Sequence, residues 1–199
     1  MKVYIGPYKN FVGPYQIADW FRFIGIAPDR CEKIGDFLNK TWLRKFCEWV
    51  ESKRKMKIKV KIHNYDTWSM DSTLSYIILP LLKQLKETKH GSPYVDDDDV
   101  PEGIGLRSTE APPKEHEWDT DENWFKRWDW VLDEMIWTFE QITLDDNESQ
   151  FFDHSNCNPN GDVLDFTNLK VDHEGLEKHQ IRIQNGCRLF GKYYQCLWD

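Results

Sequence analysis

Residues 123–142, NWFKRWDWVLDEMIWTFEQI, hold four tryptophans in twenty residues, and an α-helix sorts them into distinct faces. At about 100° per residue, Phe125, Trp128, Leu132, Met135, Ile136, Phe139 and Ile142 share one broad side, with Trp124 and Val131 at its edge. Other elements must cover an apolar side that wide, so this helix is expected at the centre of the fold. Trp130 and Trp137 fall together on roughly the opposite side. Glu122, Asp129, Asp133 and Glu140 form a third row in a sector of about 40°, and Asp119 and Asp121 extend the acid toward the helix start, where the dipole favours it. Two readings stand for Trp130 and Trp137: cover by another part of the chain, or a partner interface or stacking platform for a ligand, since tryptophan brings area and an indole donor. The carboxylate row is solvated, or paired with arginines of a neighbouring helix such as Arg182 and Arg188, or a metal site at Asp129 and Asp133 with His154 and Cys157.

The period changes at KMKIKVKIH, residues 55–63. Met56, Ile58, Val60 and Ile62 alternate with Lys57, Lys59, Lys61 and His63, the pattern of a half-buried strand. Its natural partner is the apolar start of the chain at Val3–Ile5, with helices expected over the apolar face. The lysines make a positive strip for an anion or a wet edge guarded against aggregation. Helices are expected over 16–26, ending near Gly25 and Pro28, and over 35–53, with Phe37, Trp42, Phe46 and Trp49 buried. Another starts near Ser69, capped by Ser69 or Asp66, with Met70, Leu74, Ile77, Ile78, Leu81 and Leu85 as its buried stripe and Pro80 kinking it; KHGSP stops it. The last runs from about His173 to Leu197. Gly186 and Gly191 lie on or beside its apolar stripe, from close approach to a neighbour or simple tolerance. Segments of about 91–119 and 145–172 read as surface loops. The whole predicts one mostly helical α+β domain over 1–199, with a small two- or three-stranded sheet.

A formal charge of −8 and a pI of about 5.3 leave no global field toward nucleic acid, so duplex DNA or RNA is not an expected partner and any anion must be met by a local basic patch. The five cysteines are odd in number and lack a C-x-x-C pair, which points to free thiols in a reducing cytosol. MKVYIGPYKNF lacks the apolar core of a signal peptide, and the longest apolar run, YIILPLLKQL, is too short to span a bilayer. No partner membrane and no cofactor are expected. Asn156, Asn158, Asn160 and Gly161 imitate the opening of a calcium loop, but Thr167 stands where a bidentate Glu is needed. His154 and Cys157 have ligand spacing without a second pair. The chain has no G-x-S-x-G, P-loop, dinucleotide fingerprint or H-E-x-x-H.

The block YDTWSMDSTLSYIILPLLKQLKETKHGSPYVDDDDVPEGIGLRSTEAPPKEHEWDTDENWFKRWDWVLDEMIWTFEQI and the C-terminal EGLEKHQIRIQNGCRLFGKYYQCLWD resemble a family of uncharacterised proteins encoded by tailed bacteriophages. The family has no established activity, so no residue roles transfer. The resemblance implies expression in the cytoplasm of an infected bacterium and work in the virion, host takeover or defence evasion. The leading expectation is a non-enzymatic protein that sequesters or inhibits a host factor, either a defence protein or a nucleotide-like signal. Trp130, Trp137, Lys57, Lys59, Lys61, Arg182 and Arg188 are the candidate contacts, because nucleotides need aromatic stacking with cations. The alternatives are a metal-dependent hydrolase using the clustered carboxylates with His154 or His173, and a minor virion component. Self-association is compatible with all of these.

Overall fold

A computed structural model describes residues 1–7, 11–155 and 169–198. The chain is α+β and mostly helical, with two two-stranded antiparallel sheets. Its internal contacts gather into two compact units, Met1–Asp66 and Thr67–Asp199.

In the first unit, β1 (Lys2–Gly6) pairs antiparallel with β2 (Lys57–Lys61), Val3 opposite Val60 and Ile5 opposite Ile58. Both strands lie where the alternation predicts. The apolar face is not covered as expected: Val3, Ile5, Ile58 and Val60 are all exposed. Instead α1 (Pro14–Asp19), α2 (Pro28–Asn39) and α3 (Trp42–Lys53) pack on one another. Their shared interior is made of small residues, with Ala18, Cys31, Gly35 and Cys47 buried. A Cβ on Gly35 would stand 2.4 Å from the Tyr15 ring, so the close approach requires glycine.

The single helix expected over 35–53 is two helices. The Thr41 hydroxyl donates to the Leu38 carbonyl at 2.6 Å and accepts the Leu43 N–H at 3.3 Å, so it ends one helix and caps the next. An interior built on small side chains has no room for the large rings: Phe37, Trp42, Phe46 and Trp49, expected inside, are exposed. On α3 the rings meet each other instead, Trp42 to Phe46 at 5.8 Å and Phe46 to Trp49 at 6.1 Å. The stop at Gly25 is as expected, with a left-handed φ of 85° after a 3₁₀ turn over Trp20–Ile24.

The second unit holds α4 (Met70–Thr88), α5 (Trp124–Thr143) and α6 (His173–Lys192), with a short sheet of β3 (Phe152–Asp153) and β4 (Lys170–Val171). Helix α5 is central, and Trp128, Val131, Leu132 and Met135 are almost fully buried. Its carboxylate row faces α4 rather than arginines. Lys83 meets Glu140 at 2.7 Å, Lys89 meets Asp129 at 2.6 Å, and Lys86 pairs with Asp133 between them. This register makes the two helices antiparallel. It also rotates α4 from its expected stripe: Ser75 and Leu82 are buried, with Ile78, Leu79 and Leu85 against the core, while Met70, Leu74 and Leu81 are exposed. On α6, Gly186 marks the close approach to α5, where an added Cβ would stand 1.9 Å from Thr138 Oγ1. Gly191 has open space around it and is simply tolerated.

The segment from 91 to 119 is more than a surface excursion. Val95 and Val100 are in the core, and α5 is tied to this segment through polar groups. The Arg127 guanidinium donates twice to Asp121, at 2.7 and 2.8 Å, and to the Leu106 carbonyl at 3.2 Å. Asn123 Nδ2 donates to the Gly105 carbonyl at 2.8 Å, and Trp124 Nε1 to the Ser92 carbonyl at 3.1 Å. Asp99, 5% exposed, accepts from Arg188, Lys192 and the Tyr193 hydroxyl. Hydrogen bonding to Arg127 holds the Asp121 carboxyl below the usual carboxylate range. Burial alone would raise Asp99, but its three donors outweigh it and keep that carboxyl low as well. Burial, then the bond to Asp99, pushes Tyr193 up to about 12.

Removing one partner of a buried ion pair costs about 3–5 kcal/mol, and replacing both with apolar residues costs far less. Arg127→Met is therefore expected to lose about that much in urea denaturation, and Arg127→Met with Asp121→Leu to recover most of it. Both lowered carboxylates stabilise the fold above the unfolded Asp value of about 4, and that stability is lost as pH falls through their lower folded values. Thermal midpoints should stay level from about pH 7 to 5 and fall progressively below about pH 4.

Candidate functional site

The wheel places Trp130 and Trp137 away from the core, yet α5 is covered on several sides. Trp130 is half-buried and packs against the hydrophobic core. It forms no ring contact with Trp137 among the described residues, so the two do not make a shared outward platform. Trp137 is also half-buried, at the wall of a pocket of about 450 Å³ lined by Gln141, Gln150, Phe151, Gly175, Lys178, His179 and Arg182.

Three short sequence relations build this pocket. Glu134 lies one turn before Trp137 on α5, and His179 one turn before Arg182 on α6. The Asp172 carboxylate caps α6 by accepting the Gly175 N–H at 2.9 Å. The Arg182 guanidinium then spans the two helices. It donates to Glu134 from Nε at 3.0 Å and from Nη2 at 2.7 Å, and its carbon lies 3.8 Å from the centre of the Trp137 ring. A delocalised cation held over an indole is attracted by the ring quadrupole. The Glu134 carboxylate fixes its orientation from below.

His179 is 8% exposed. Trp137 meets its ring edge-on at 5.3 Å, and Phe151 lies at the same separation on a tilt. Its Nε2 is buried with no hydrogen-bond partner among the described residues. Buried polar atoms in native proteins are nearly always satisfied, by protein or by ordered water, and His179 Nε2 shares its lack of a hydrogen-bond partner with Arg127 Nε and Thr138 Oγ1 among the described residues. Among the described residues no carboxylate, thiol or hydroxyl is hydrogen-bonded to the ring. The pocket is lined by the Trp137 and Phe151 rings, two glutamine amides and His179, whose own Nε2 is buried.

Its charges are mostly balanced internally. Glu134 offsets Arg182, Glu174 pairs with Lys178 at 2.5 Å, and Gln180 donates to Glu148 beside it. Such a surface suits recognition by shape, stacking and hydrogen bonds more than by net charge.

The remaining candidates separate. Arg188 is committed to Asp99 at 2.7 Å and belongs to the clamp on the 91–119 segment. Asp129 and Asp133 are paired with Lys89 and Lys86. His154 is exposed and lies over Phe152 at 6.5 Å; Cys157 and the calcium-like asparagine turn fall outside the described residues. Among the described residues no group of three or more His, Cys, Asp or Glu is arranged to hold a metal ion, and no helix is long and apolar enough to cross a membrane. The four described cysteines, Cys31, Cys47, Cys187 and Cys196, are free thiols. Lys57, Lys59 and Lys61 are exposed on β2, in the other unit from Trp137.

Sequence reasoning missed His179, Phe151 and Glu134. The i, i+3 spacing of His179 and Arg182 was available as a signal, but which helix they face was not. It also missed the step in charge along the chain. Residues 1–66 carry fourteen Lys and Arg against seven Asp and Glu, a net +7, whereas residues 67–199 carry twelve against twenty-seven, a net −15. No protein-family model matches the chain, and it has no match among curated proteins or solved structures.

An aromatic replacement of similar size removes the unsatisfied nitrogen while keeping the ring contacts. His179→Phe is therefore expected to be neutral or stabilising by up to about 1 kcal/mol in denaturant titration.

Proposed function

We propose that this chain is a non-enzymatic phage protein that sequesters a nucleotide-like host signal in the Trp137 pocket. The observation that carries this reading is a pocket lined by Trp137, Phe151 and an Arg182 cation held over Trp137, together with His179, whose buried Nε2 has no partner among the described residues. A base extends the Trp137–Arg182 stack, since bases stack on guanidinium planes as on aromatic rings. Its edge supplies the hydrogen bond His179 lacks, and Gln141 and Gln150 present amides to the remaining polar atoms. The volume lies within the range of small-molecule sites. The likeness to phage-encoded proteins supports a target in the host cytoplasm, and capture without turnover is a direct way to silence a signal. Direct inhibition of a host defence protein would engage the exposed aromatics rather than this pocket. The hydrolase alternative draws on Asp129 and Asp133, which lysines already neutralise, and no observation favours it.

Native mass spectrometry of the protein after incubation with deproteinised bacterial extract tests the reading. The expected result is a bound small molecule with an ultraviolet-absorbing base, weakened at least about tenfold by His179→Phe, the equivalent of one lost hydrogen bond at a buried site. Retention of nothing from the extract, or retention unaffected by both His179→Phe and Trp137→Ala, would sink it.

A further inference from the structure

The sheet of β1 and β2 presents a wet face that takes no part in the Trp137 pocket. Register sets Lys2 opposite Lys61, Tyr4 opposite Lys59 and Gly6 opposite Lys57, and strand alternation brings all six to one side. The four lysines and Tyr4 are exposed, Tyr4 at 50%. Among the described residues none of the four ammonium groups has a carboxylate at ion-pairing distance, whereas Lys83, Lys86, Lys89, Lys178 and Lys192 all do.

Lysine on an edge strand guards against aggregation, but that role does not require Lys2 directly across from Lys61. Like charges opposed across a strand pair destabilise it, and an anion lying between them reverses the sign. The surrounding unit supports the same partner: its net charge is +7 within a chain of net −8, so the field that attracts an anion is confined to residues 1–66.

The layout selects the anion. Along β2 the lysines recur every ~7 Å, with the Lys2 row ~5 Å beside them. Four ammonium groups spread in this way cannot converge on one phosphate; they follow a chain of them. Lysine contacts phosphate as a point charge, and the face carries no Arg, Asn or Gln to read base edges in a duplex groove. Tyr4, two residues along β1 from Lys2 and opposite Lys59, offers a ring that only an unpaired base can stack on. We propose that the Lys2, Tyr4, Lys57, Lys59 and Lys61 face binds single-stranded nucleic acid without sequence preference, its ammonium groups tracking the phosphates and Tyr4 stacking on a base.

Fluorescence anisotropy of a labelled twelve-nucleotide oligo-dT against the full chain tests this. Four phosphate contacts on a single strand give a log–log salt slope near −2.8, so affinity should fall about 50-fold between 50 and 200 mM NaCl. Lys59→Gln with Lys61→Gln, both exposed, should roughly halve the slope while circular dichroism stays unchanged. Tyr4→Leu, which keeps an apolar strand residue, should weaken binding about tenfold at unchanged slope, and an abasic oligonucleotide should bind wild type as weakly as oligo-dT binds Tyr4→Leu. His179→Phe should have no effect, which separates this face from the pocket. The proposal is overturned by no binding at 50 mM salt, or by a slope unmoved in the lysine variant. A duplex of the same length binding more tightly than the single strand would also overturn it, as would inorganic polyphosphate matching oligo-dT with Tyr4→Leu silent.

Discussion

The second unit depends on how an arginine in the middle of the core is kept charged. Arg127 is 1% exposed, and an unpaired guanidinium there would cost several kcal/mol. Asp121, six residues earlier, answers it with both carboxylate oxygens. That pairing is possible only if the chain turns sharply into α5, and Asn123 makes the turn by binding the carbonyls of Gly105 and Arg107. The start of α5 and the irregular 91–119 segment are thus fixed by the same few groups. The Asp99 cluster with Arg188, Lys192 and Tyr193 ties that segment to α6. An otherwise structureless stretch becomes a strap joining two helices.

The consequence travels along α5. With its first turn held and its Lys83, Lys86 and Lys89 pairings setting its rotation against α4, Glu134 and Trp137 can only face α6. There Gly186 lets the helices approach to a distance no Cβ would allow, close enough for Arg182 to reach Glu134 and lie on Trp137. The pocket is a by-product of a tight helix contact. Trp137 and Gln141 come from α5 and Lys178, His179 and Arg182 from α6, with Gln150 and Phe151 on a 3₁₀ turn, so the Arg182–Trp137 contact is held by two helices before any ligand arrives.

What the sequence disclosed follows a physical rule. Periodicity reports direction, so the core face of α5 from Trp128 onward, the alternation of β2 and its pairing with Val3–Ile5 were all legible; Phe125, expected on the same face, is exposed in the first turn of the helix. Periodicity does not report neighbours. The wheel placed Trp130 off the core stripe without knowing that α5 is covered on several sides, and it placed the carboxylate row without knowing that lysines of α4 would meet it. The four aspartates at 96–99 read as solvated loop because nothing local distinguishes Asp99, whose partners lie about ninety residues away. The aromatic row of 37–49 misled for a different reason: small residues at 18, 31, 35 and 47 already fill the interior of that unit. His179 was invisible because its meaning lies in a hydrogen bond it does not make.

The two candidate surfaces obey different electrostatics, and the reason lies in where each sits in the charge sequence. The Trp137 pocket belongs to a unit of net −15, whose field repels any anion at a distance. A phosphate-bearing ligand can be held there only by contacts that survive close up, and Arg182 is already balanced by Glu134. In the proposed reading, selection in the pocket therefore falls to stacking and to the His179 nitrogen, terms that salt hardly screens. The lysine face belongs to a unit of net +7, with no carboxylate at ion-pairing distance from its ammonium groups among the described residues and little depth to its surface. Its grip is long-ranged and must weaken steeply with ionic strength. A chain with one global charge of −8 can thus carry an anion-attracting surface and a salt-tolerant pocket, because +7 and −15 occupy separate stretches of its length.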